Sequence, residues 1–480
     1  MKKGEIHEFV IEDYAFEGKG IARVKLEEGA EEFGEDKKFV VFVNGSYPGD
    51  KVKALLTKVK KRYAEGRVEE VIEASPDRVK ATCDFFYTCG GCKQQDLDYE
   101  AQLRYKKEQV KDLFEVQAGI SGFEMEPAVG ADKIFHYRNK MEFSFSDKRW
   151  IPKAEFSDDE MVEDRNFALG LHIPRVYDKV LDINNCHLQN DVGNKILNFT
   201  RAFFKPRNTS IYSTKTHEGY LRNLVIKLAH HTEDVMVNLV THTDDEVLFG
   251  EYAELLKKEI PAVTTIINNV NLKKAQIALG DYEKIYLGDG FMFDNIGKYK
   301  YRISANSFFQ TNTLQAEKLY DIVLEYADLN GDEIVYDLYS GAGTISIYVS
   351  EKAHEVYAIE SVEPAVEDAK VNATLNNISN VKFILGDLNK SFLPILNEQN
   401  IPNPDVIIAD PPRSGMNPKT IRDIENLSPK KIVYISCNPA SQMRDIKLLV
   451  TAGYRLIKMR SVDMFPQTYH IENVALLIKN

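Results

Sequence analysis

Long apolar runs are missing from this 480-residue chain. None reaches the ~18 residues that a membrane-crossing helix needs. The opening Met1-Lys-Lys-Gly-Glu-Ile-His-Glu lacks the apolar stretch of a secretory signal. A soluble cytoplasmic protein is the expectation. Positive charge is also short: the net charge of −12 excludes a uniformly basic nucleic-acid coat, although it leaves room for a local patch. Cysteine is scarce. The five residues Cys83, Cys89, Cys92, Cys186 and Cys437 are an odd number, which does not read as a disulfide framework.

What is present divides along the chain. The length suggests roughly two to four domains, and a hydrophobic content of 44% can supply their cores. Residues 1–75 alternate short β-branched and apolar segments with Gly, Asn and Pro turns, including Asn44-Gly-Ser-Tyr-Pro-Gly-Asp. A five-stranded, OB-like barrel fits that pattern, and such barrels commonly bind single-stranded nucleic acid. Within it, residues 51–67 hold Lys51, Lys53, Lys58, Lys60, Lys61, Arg62 and Arg67 against one acid, Glu65. That run is either a solvated face or a phosphate-binding patch. Residues 76–303 form a central α+β region. It contains the clustered cysteines, an amphipathic helix expected over 98–117 that could pack on the catalytic domain, and an acidic stretch at 151–165 expected to be an exposed loop. From about 304 to 480, strands alternate with helices, which predicts a Rossmann-like, doubly wound and largely parallel sheet.

In such sheets ligands sit beyond the carboxyl ends of the strands. Asp337-Leu-Tyr-Ser-Gly-Ala-Gly-Thr follows the first strand there. Its glycines allow a tight turn and close approach to a ligand. It has neither the spaced-glycine dinucleotide fingerprint nor a P-loop ending, so the ligand need not carry phosphate. Glu360, 17 residues after Gly343, ends the second strand where a carboxylate can take two ribose hydroxyls. Asp387 ends the third, within reach of an adenine edge. Either acid alone could be a strand-end cap, but in this order they point to a nucleoside with an uncharged-by-phosphate tail, such as S-adenosylmethionine.

Asp410-Pro-Pro-Arg413 ends the fourth strand and Ile435-Ser-Cys437-Asn-Pro the next. A lone cysteine is as often a small core hydrophobe as a reactive thiol. At the ligand end of the sheet a nucleophile has a use in uracil methylation. Thiolate addition at carbon 6 makes carbon 5 an enolate able to attack a methyl donor, and a base must then remove the carbon-5 proton. Glu472, in His470-Ile-Glu-Asn-Val just before the last strand, is the candidate base, since a closed pocket raises carboxylate basicity.

With these motifs, and with Phe308-Phe-Gln310-Thr-Asn, the chain resembles the RNA 5-methyluridine (uracil-5) methyltransferases of the TrmA/RlmD type over nearly its whole length. The resemblance implies a TRAM barrel at the N-terminus that binds RNA. It implies Gln310, Tyr339, Thr344, Glu360, Asp387 and Asp410 around S-adenosylmethionine, Cys437 as nucleophile and Glu472 as base. Thr344 stands where some members have Asn. Cys83-x5-Cys89-x2-Cys92 with the distant Cys186 could by spacing hold zinc or an iron–sulfur cluster. The resemblance implies a structural [4Fe-4S] cluster, with zinc as the alternative. Polar methyl transfer needs no electron, and a Cys-x3-Cys-x2-Cys run of the radical type is not found. The TRAM-plus-cysteine combination resembles enzymes acting on 23S ribosomal RNA more than those acting on transfer RNA. The competing readings are a transfer-RNA enzyme, an iron–sulfur redox or radical enzyme, and an RNA-binding protein without catalysis.

Overall fold

The computed structural model describes residues 1–24, 39–152, 155, 165–174, 176–274 and 280–480. Most of the acidic stretch expected as a loop at 151–165 therefore lies outside the described residues. No helix among them is long and apolar enough to cross a membrane.

The N-terminal sheet has six strands rather than five, because its first strand is bent. Ile6–Val10 pairs antiparallel with Lys51–Val59, and Asp13–Ala15 pairs with Lys19–Val24. At the bend, Ile11 N–H donates to Asp50 and Glu12 N–H to Ile21. One chain segment thus pairs with both ends of the sheet and closes it, which removes exposed edges. Phe9, Val41, Val43, Val52, Ala54 and Leu56 fill the interior. The basic run is not bare. Tyr63–Glu73 lies beside Lys51–Val59 and brings acids to it: Lys51 meets Glu73, Lys53 meets Glu70, Lys58 meets Glu65, and Arg67 meets Glu69. Lys60–Arg62 lie at the hairpin tip between these strands.

The central region is built on an eight-stranded mixed sheet whose middle strands are Val235–Thr241, Leu221–Leu228 and Lys140–Ser146. Helices Asp191–Phe204 and Glu246–Glu259 pack on it through Phe203, Phe204, Phe249 and Tyr252.

The C-terminal sheet carries strands β1 (Ile334–Leu338), β2 (Glu355–Glu360), β3 (Val381–Leu385), β4 (Val406–Ala409), β5 (Lys431–Ser436), β6 (Tyr454–Val462) and β7 (Glu472–Lys479). Their order is β3-β2-β1-β4-β5-β7-β6. The first five are parallel and β7 runs antiparallel to both neighbours. Alternation along each strand explains burial on both faces. Val335, Val356, Ile408 and Val433 enter one core, and Tyr336, Tyr357, Ile407 and Ile432 enter the other. The order reverses between β1 and β4, which opens a crevice above their carboxyl ends.

Two helices fix this sheet to the rest. Helix α1 (Tyr99–Asp112) starts at Asp98, whose carboxylate caps Glu100 and Ala101, and ends in a wide turn over Leu113–Gln117. Its Val110, with Leu113 and Phe114, is buried against Tyr336 and Ile432 of the catalytic core. Each such side chain contributes roughly 1.5–3 kcal/mol when fully buried. Helix α2 (Thr313–Ala327) covers the opposite face with Ala316, Leu319, Tyr320 and Val323.

Candidate active site

The β1 loop is shaped by three left-handed residues. Tyr339 (φ 66°), Gly341 (φ 55°) and Gly343 (φ 77°) turn the chain sharply into the helix that begins at Thr344. At Gly343 a Cβ would strike Phe383 at 2.8 Å, so close packing excludes any side chain there. At Gly341 a Cβ would meet nothing within 4 Å, so the turn faces open space. Two buried oxygens beside this turn, Ser340 Oγ and Asp337 Oδ1, have no partner within the described protein. A cradle of small residues with unanswered polar atoms suits a polar ligand.

Glu360 holds the loop. Its carboxylate accepts from Gly341 N–H (2.9 Å), Ser361 N–H (2.7 Å) and Val362 N–H (2.8 Å). Asp387 lies further out, accepts from Asn389 N–H and pairs with Lys390, and these bonds hold its carboxyl below the usual range. Thr344 Oγ1 meets Tyr320 Oη at 2.8 Å, and the Gln310 side chain bonds the same hydroxyl. Tyr320 therefore joins two of the residues expected around the cofactor, and nothing in its helical sequence context singled it out. The Tyr339 hydroxyl lies near Thr420 and the backbone of Asn417. Its contribution to the cradle is the left-handed backbone. Phe308, two residues before Gln310, is 68% exposed, an apolar ring held in solvent.

The reactive pair follows from strand register. β5 and β7 are antiparallel with Ser436 opposite Asn473. The ladder ends there, and Cys437 and Glu472 are the residues next to that last pair in the two chain segments. The two strands thus place a thiol and a carboxylate side by side, with Asp410 from the end of β4 next to both. Burial and the neighbouring carboxylates Glu472 and Asp410 push the Cys437 thiol up to about 11. Burial lifts Asp410 to about 6. Glu472 is held well above the carboxylate range by burial and by Asp410. Asp337, buried behind them, is raised to about 7.

Arg413 is the cation of the pocket. Its charge lowers the proton affinity of both Cys437 and Glu472. It also meets His470 Nδ1 at 3.2 Å. Burial and the charges of Arg413, Lys106 and Arg138 press His470 down to about 4, so its ring is neutral and can accept from the guanidinium. Arg413 is anchored in turn: its carbonyl accepts from Asn438 (2.9 Å) and Ser441 (3.1 Å) just past Cys437.

The other four cysteines meet elsewhere. Cys83, Cys89, Cys92 and Cys186 line one cavity of about 340 Å³, walled by Phe85, Phe86 and Leu188. Burial raises all four thiols. Among the described residues, no three His, Cys, Asp or Glu side chains are gathered tightly enough to hold a metal ion.

A glycine-lined cradle on a doubly wound sheet, beside a half-buried thiol and a raised carboxyl, fits a transferase that uses a nucleoside cofactor. Residues 220–480 match the family described as tRNA (Uracil-5-)-methyltransferase, and residues 2–68 match the TRAM domain. The chain belongs to this family of S-adenosylmethionine-dependent RNA uracil-5-methyltransferases. A protein named as an RNA methyltransferase from Chlorobaculum tepidum is 42% identical over 99% of this chain and 96% of its own. Another from Halalkalibacterium halodurans is 37% identical over 100% and 98%. The crystal structure of Pyrococcus abyssi tRNA (uracil-54, C5)-methyltransferase in complex with S-adenosyl-L-homocysteine superimposes with a TM-score of 0.73. It is 28% identical and covers 98% of this chain and 100% of that one.

Proposed function

We propose that this enzyme methylates carbon 5 of an unpaired uridine in RNA, with Cys437 as nucleophile and Glu472 as the base. The observation that supports this reading is the electrostatic proximity of Cys437, Glu472, Asp410 and Arg413 just past the last β5–β7 pair, Ser436 with Asn473. Gln310, Thr344, Glu360 and Asp387, with Asp410 and the Tyr339 backbone, would hold S-adenosylmethionine, which supplies the methyl group and a positive charge. Without that charge the thiol keeps its proton at neutral pH. Arg413 and a cation over the acids both favour the thiolate. The thiolate adds to carbon 6, carbon 5 takes the methyl group, and Glu472 accepts the carbon-5 proton as the carbon–sulfur bond breaks. The raised proton affinity of Glu472 suits that last step. The exposed Phe308 ring offers a surface on which an unstacked base can lie.

The four-cysteine cavity supports a [4Fe-4S] cluster over zinc. Four thiolates on one zinc ion must converge on a single point, whereas thiolates on separate irons of a cluster stand further apart around a larger body. Cys83, Cys89, Cys92 and Cys186 line one cavity of about 340 Å³, a space that suits the larger body. The cluster would brace the fold and take no part in methyl transfer.

Large-subunit ribosomal RNA is the proposed substrate, on the TRAM and cysteine features. A transfer-RNA substrate is the second reading, favoured by the full-length match to the Pyrococcus abyssi enzyme. Mass-spectrometric mapping of 5-methyluridine in RNA from a strain lacking the gene decides between them. Loss of the modification at a 23S position, restored by the gene, supports the first reading. Loss in transfer RNA supports the second, and no loss in either overturns both.

A further inference from the structure

The connection from β6 to β7 is far longer than an antiparallel turn requires. Residues 463–471 leave the sheet at Val462 and return at Glu472, which is paired with Val462 across the ladder. In between, the chain runs out to the central region and is gripped at every residue of its first half. The Asp463 carboxylate takes Lys106 Nζ at 2.7 Å and the Tyr99 hydroxyl at 2.9 Å, and both ends of the Lys106 pair are buried. Its carbonyl accepts from Gln315 at 3.1 Å. The Met464 carbonyl accepts from Asn312 (3.1 Å) and that of Pro466 from Tyr137 (3.1 Å).

Gln467 is the most tightly tied of these residues. Its N–H donates to Gln102 Oε1 at 3.0 Å, and Gln102 Nε2 donates back to Gln467 Oε1 at 3.1 Å. Its carbonyl accepts from the backbone N–H of Lys93 (2.9 Å) and Gln94 (3.1 Å), the two residues that follow Cys92. The backbone at Gln467 is left-handed, at φ 68°, a conformation that a residue with a side chain keeps only when its surroundings impose it. Gln102 is itself fully buried, and its amide also donates to the carbonyls of Gln94 and Leu97. The N-terminal barrel comes close to the same segment: at Gly18 there is no room for a side chain, since an added Cβ would lie 3.0 Å from the Cβ of Tyr469.

These bonds bear on chemistry because of what comes next in the chain. Five residues after Gln467 lies Glu472, with His470, the partner of Arg413, between them. Lys106 and Gln102 both project from helix α1, outside the catalytic sheet. The start of β7 is therefore located by α1 and by the loop that follows Cys92, as well as by the sheet.

We propose that Gln102 and Gln467 are positioning residues for the proton-abstraction step: their reciprocal amide bonds set the 463–471 segment and so place the Glu472 carboxylate over carbon 5 of the adduct. The proposal rests on the Cys437–Glu472 reading. In that step the carbon-5 proton passes to Glu472, the carbon 5–carbon 6 double bond re-forms, and the carbon 6–sulfur bond breaks to release the Cys437 thiolate. Displacing the base slows release after the methyl group has already been transferred.

The test uses the full-length enzyme, unmodified uridine RNA and S-adenosylmethionine labelled in its methyl group. Gln102→Met removes the amide while keeping side-chain length. Gln467→Gly removes it while tolerating the left-handed backbone, and it decides the matter if Gln102→Met does not fold. Each should lower kcat by about 10-fold or more while KM for S-adenosylmethionine stays within about 2-fold. Each should also build up methyl-labelled RNA covalently attached to protein, about 5-fold or more above wild type. Folded variants in which adduct formation and release slow together, or in which neither changes, overturn the proposal. Glu472→Gln on the same RNA separates the two levels. If it also fails to accumulate adduct, the reading of Glu472 falls and this inference with it. If it accumulates adduct and the glutamine variants do not, the positioning role alone falls.

Discussion

The two ends of the crevice are built in opposite ways. At the β1–β2–β3 end the acids are already satisfied: Glu360 accepts three backbone N–H groups and Asp387 is held below the usual carboxylate range. At the β4–β5–β7 end the groups are under electrostatic tension. Asp410, Glu472 and Cys437 are electrostatic neighbours and each holds its proton more firmly than in water. The first end is finished before ligand arrives, which suits binding with little reorganisation. The second end is destabilised by its own like charges and is relieved by a cation, which suits chemistry that begins only when the methyl donor is bound.

That contrast can be broken most sharply at Cys437. Cys437→Ala should lower kcat/KM by at least about 10⁴-fold, because the covalent step has no substitute. Affinity for S-adenosylhomocysteine, measured by calorimetry, should change little. A variant that retains a tenth of wild-type turnover would mean the tension at this end serves something other than nucleophilic attack.

At the finished end, Glu360→Gln should act on binding. Charge-assisted hydrogen bonds are worth about 1.5–3 kcal/mol, so S-adenosylmethionine affinity should fall by roughly 10- to 100-fold with a smaller change in saturated rate. A fall in kcat with unchanged KM would place Glu360 in the chemistry and erase the distinction between the ends.

The tension itself is open to titration. Alkylation of Cys437 in the ligand-free enzyme, followed on its own peptide by mass spectrometry, should accelerate with pH towards about 11. Asp410→Asn removes a carboxylate that raises the thiol, so the alkylation curve should move to lower pH. S-adenosylmethionine should move it the same way. A curve centred near the ordinary thiol value in wild type would contradict the crowding.

The smallest effect expected is on stability. Asp337 and Asp410 have folded-state values of about 7 and about 6, above those of an unfolded carboxyl. A group raised on folding favours the folded state below its unfolded value, near 4, and loses that contribution as pH rises through the folded value. The ligand-free melting temperature should therefore fall between about pH 5 and pH 8. Asp410→Asn should recover about 2–4 °C at pH 8. A melting temperature that rises across this range would show that these acids are not strained.

Much of the finished end was legible in the sequence because its chemistry is local. A parallel strand ends, a turn follows, and the residue at the turn faces the crevice, so Gly341, Gly343, Glu360 and Asp387 could be placed by position alone. Cys437 and Glu472 were legible individually, while their proximity depends on β5 and β7 being neighbours in the sheet, which pattern does not give. Arg413 was visible in Asp-Pro-Pro-Arg, but its bond to His470 spans 57 residues. The tie from Gln102 to Gln467 spans 365 and leaves no periodic trace. The basic run at 51–67 looked barer than it is, since Glu70 and Glu73 reach Lys53 and Lys51 only across a β-ladder. The bend that makes one expected strand into two was hidden because hydrogen-bond partners, and not residue type, change at Ile11–Glu12.

In the proposed mechanism the tense end of the crevice acts through a bond between Cys437 and uracil. Incubation with 5-fluorouridine-containing substrate RNA and S-adenosylmethionine tests it directly, because fluorine at carbon 5 cannot leave as a proton. Peptide mass spectrometry should find a methylated fluorouridine adduct on Cys437 in the wild-type enzyme and none in Cys437→Ala. Absence of any adduct in wild type, or its persistence in Cys437→Ala, would contradict the account.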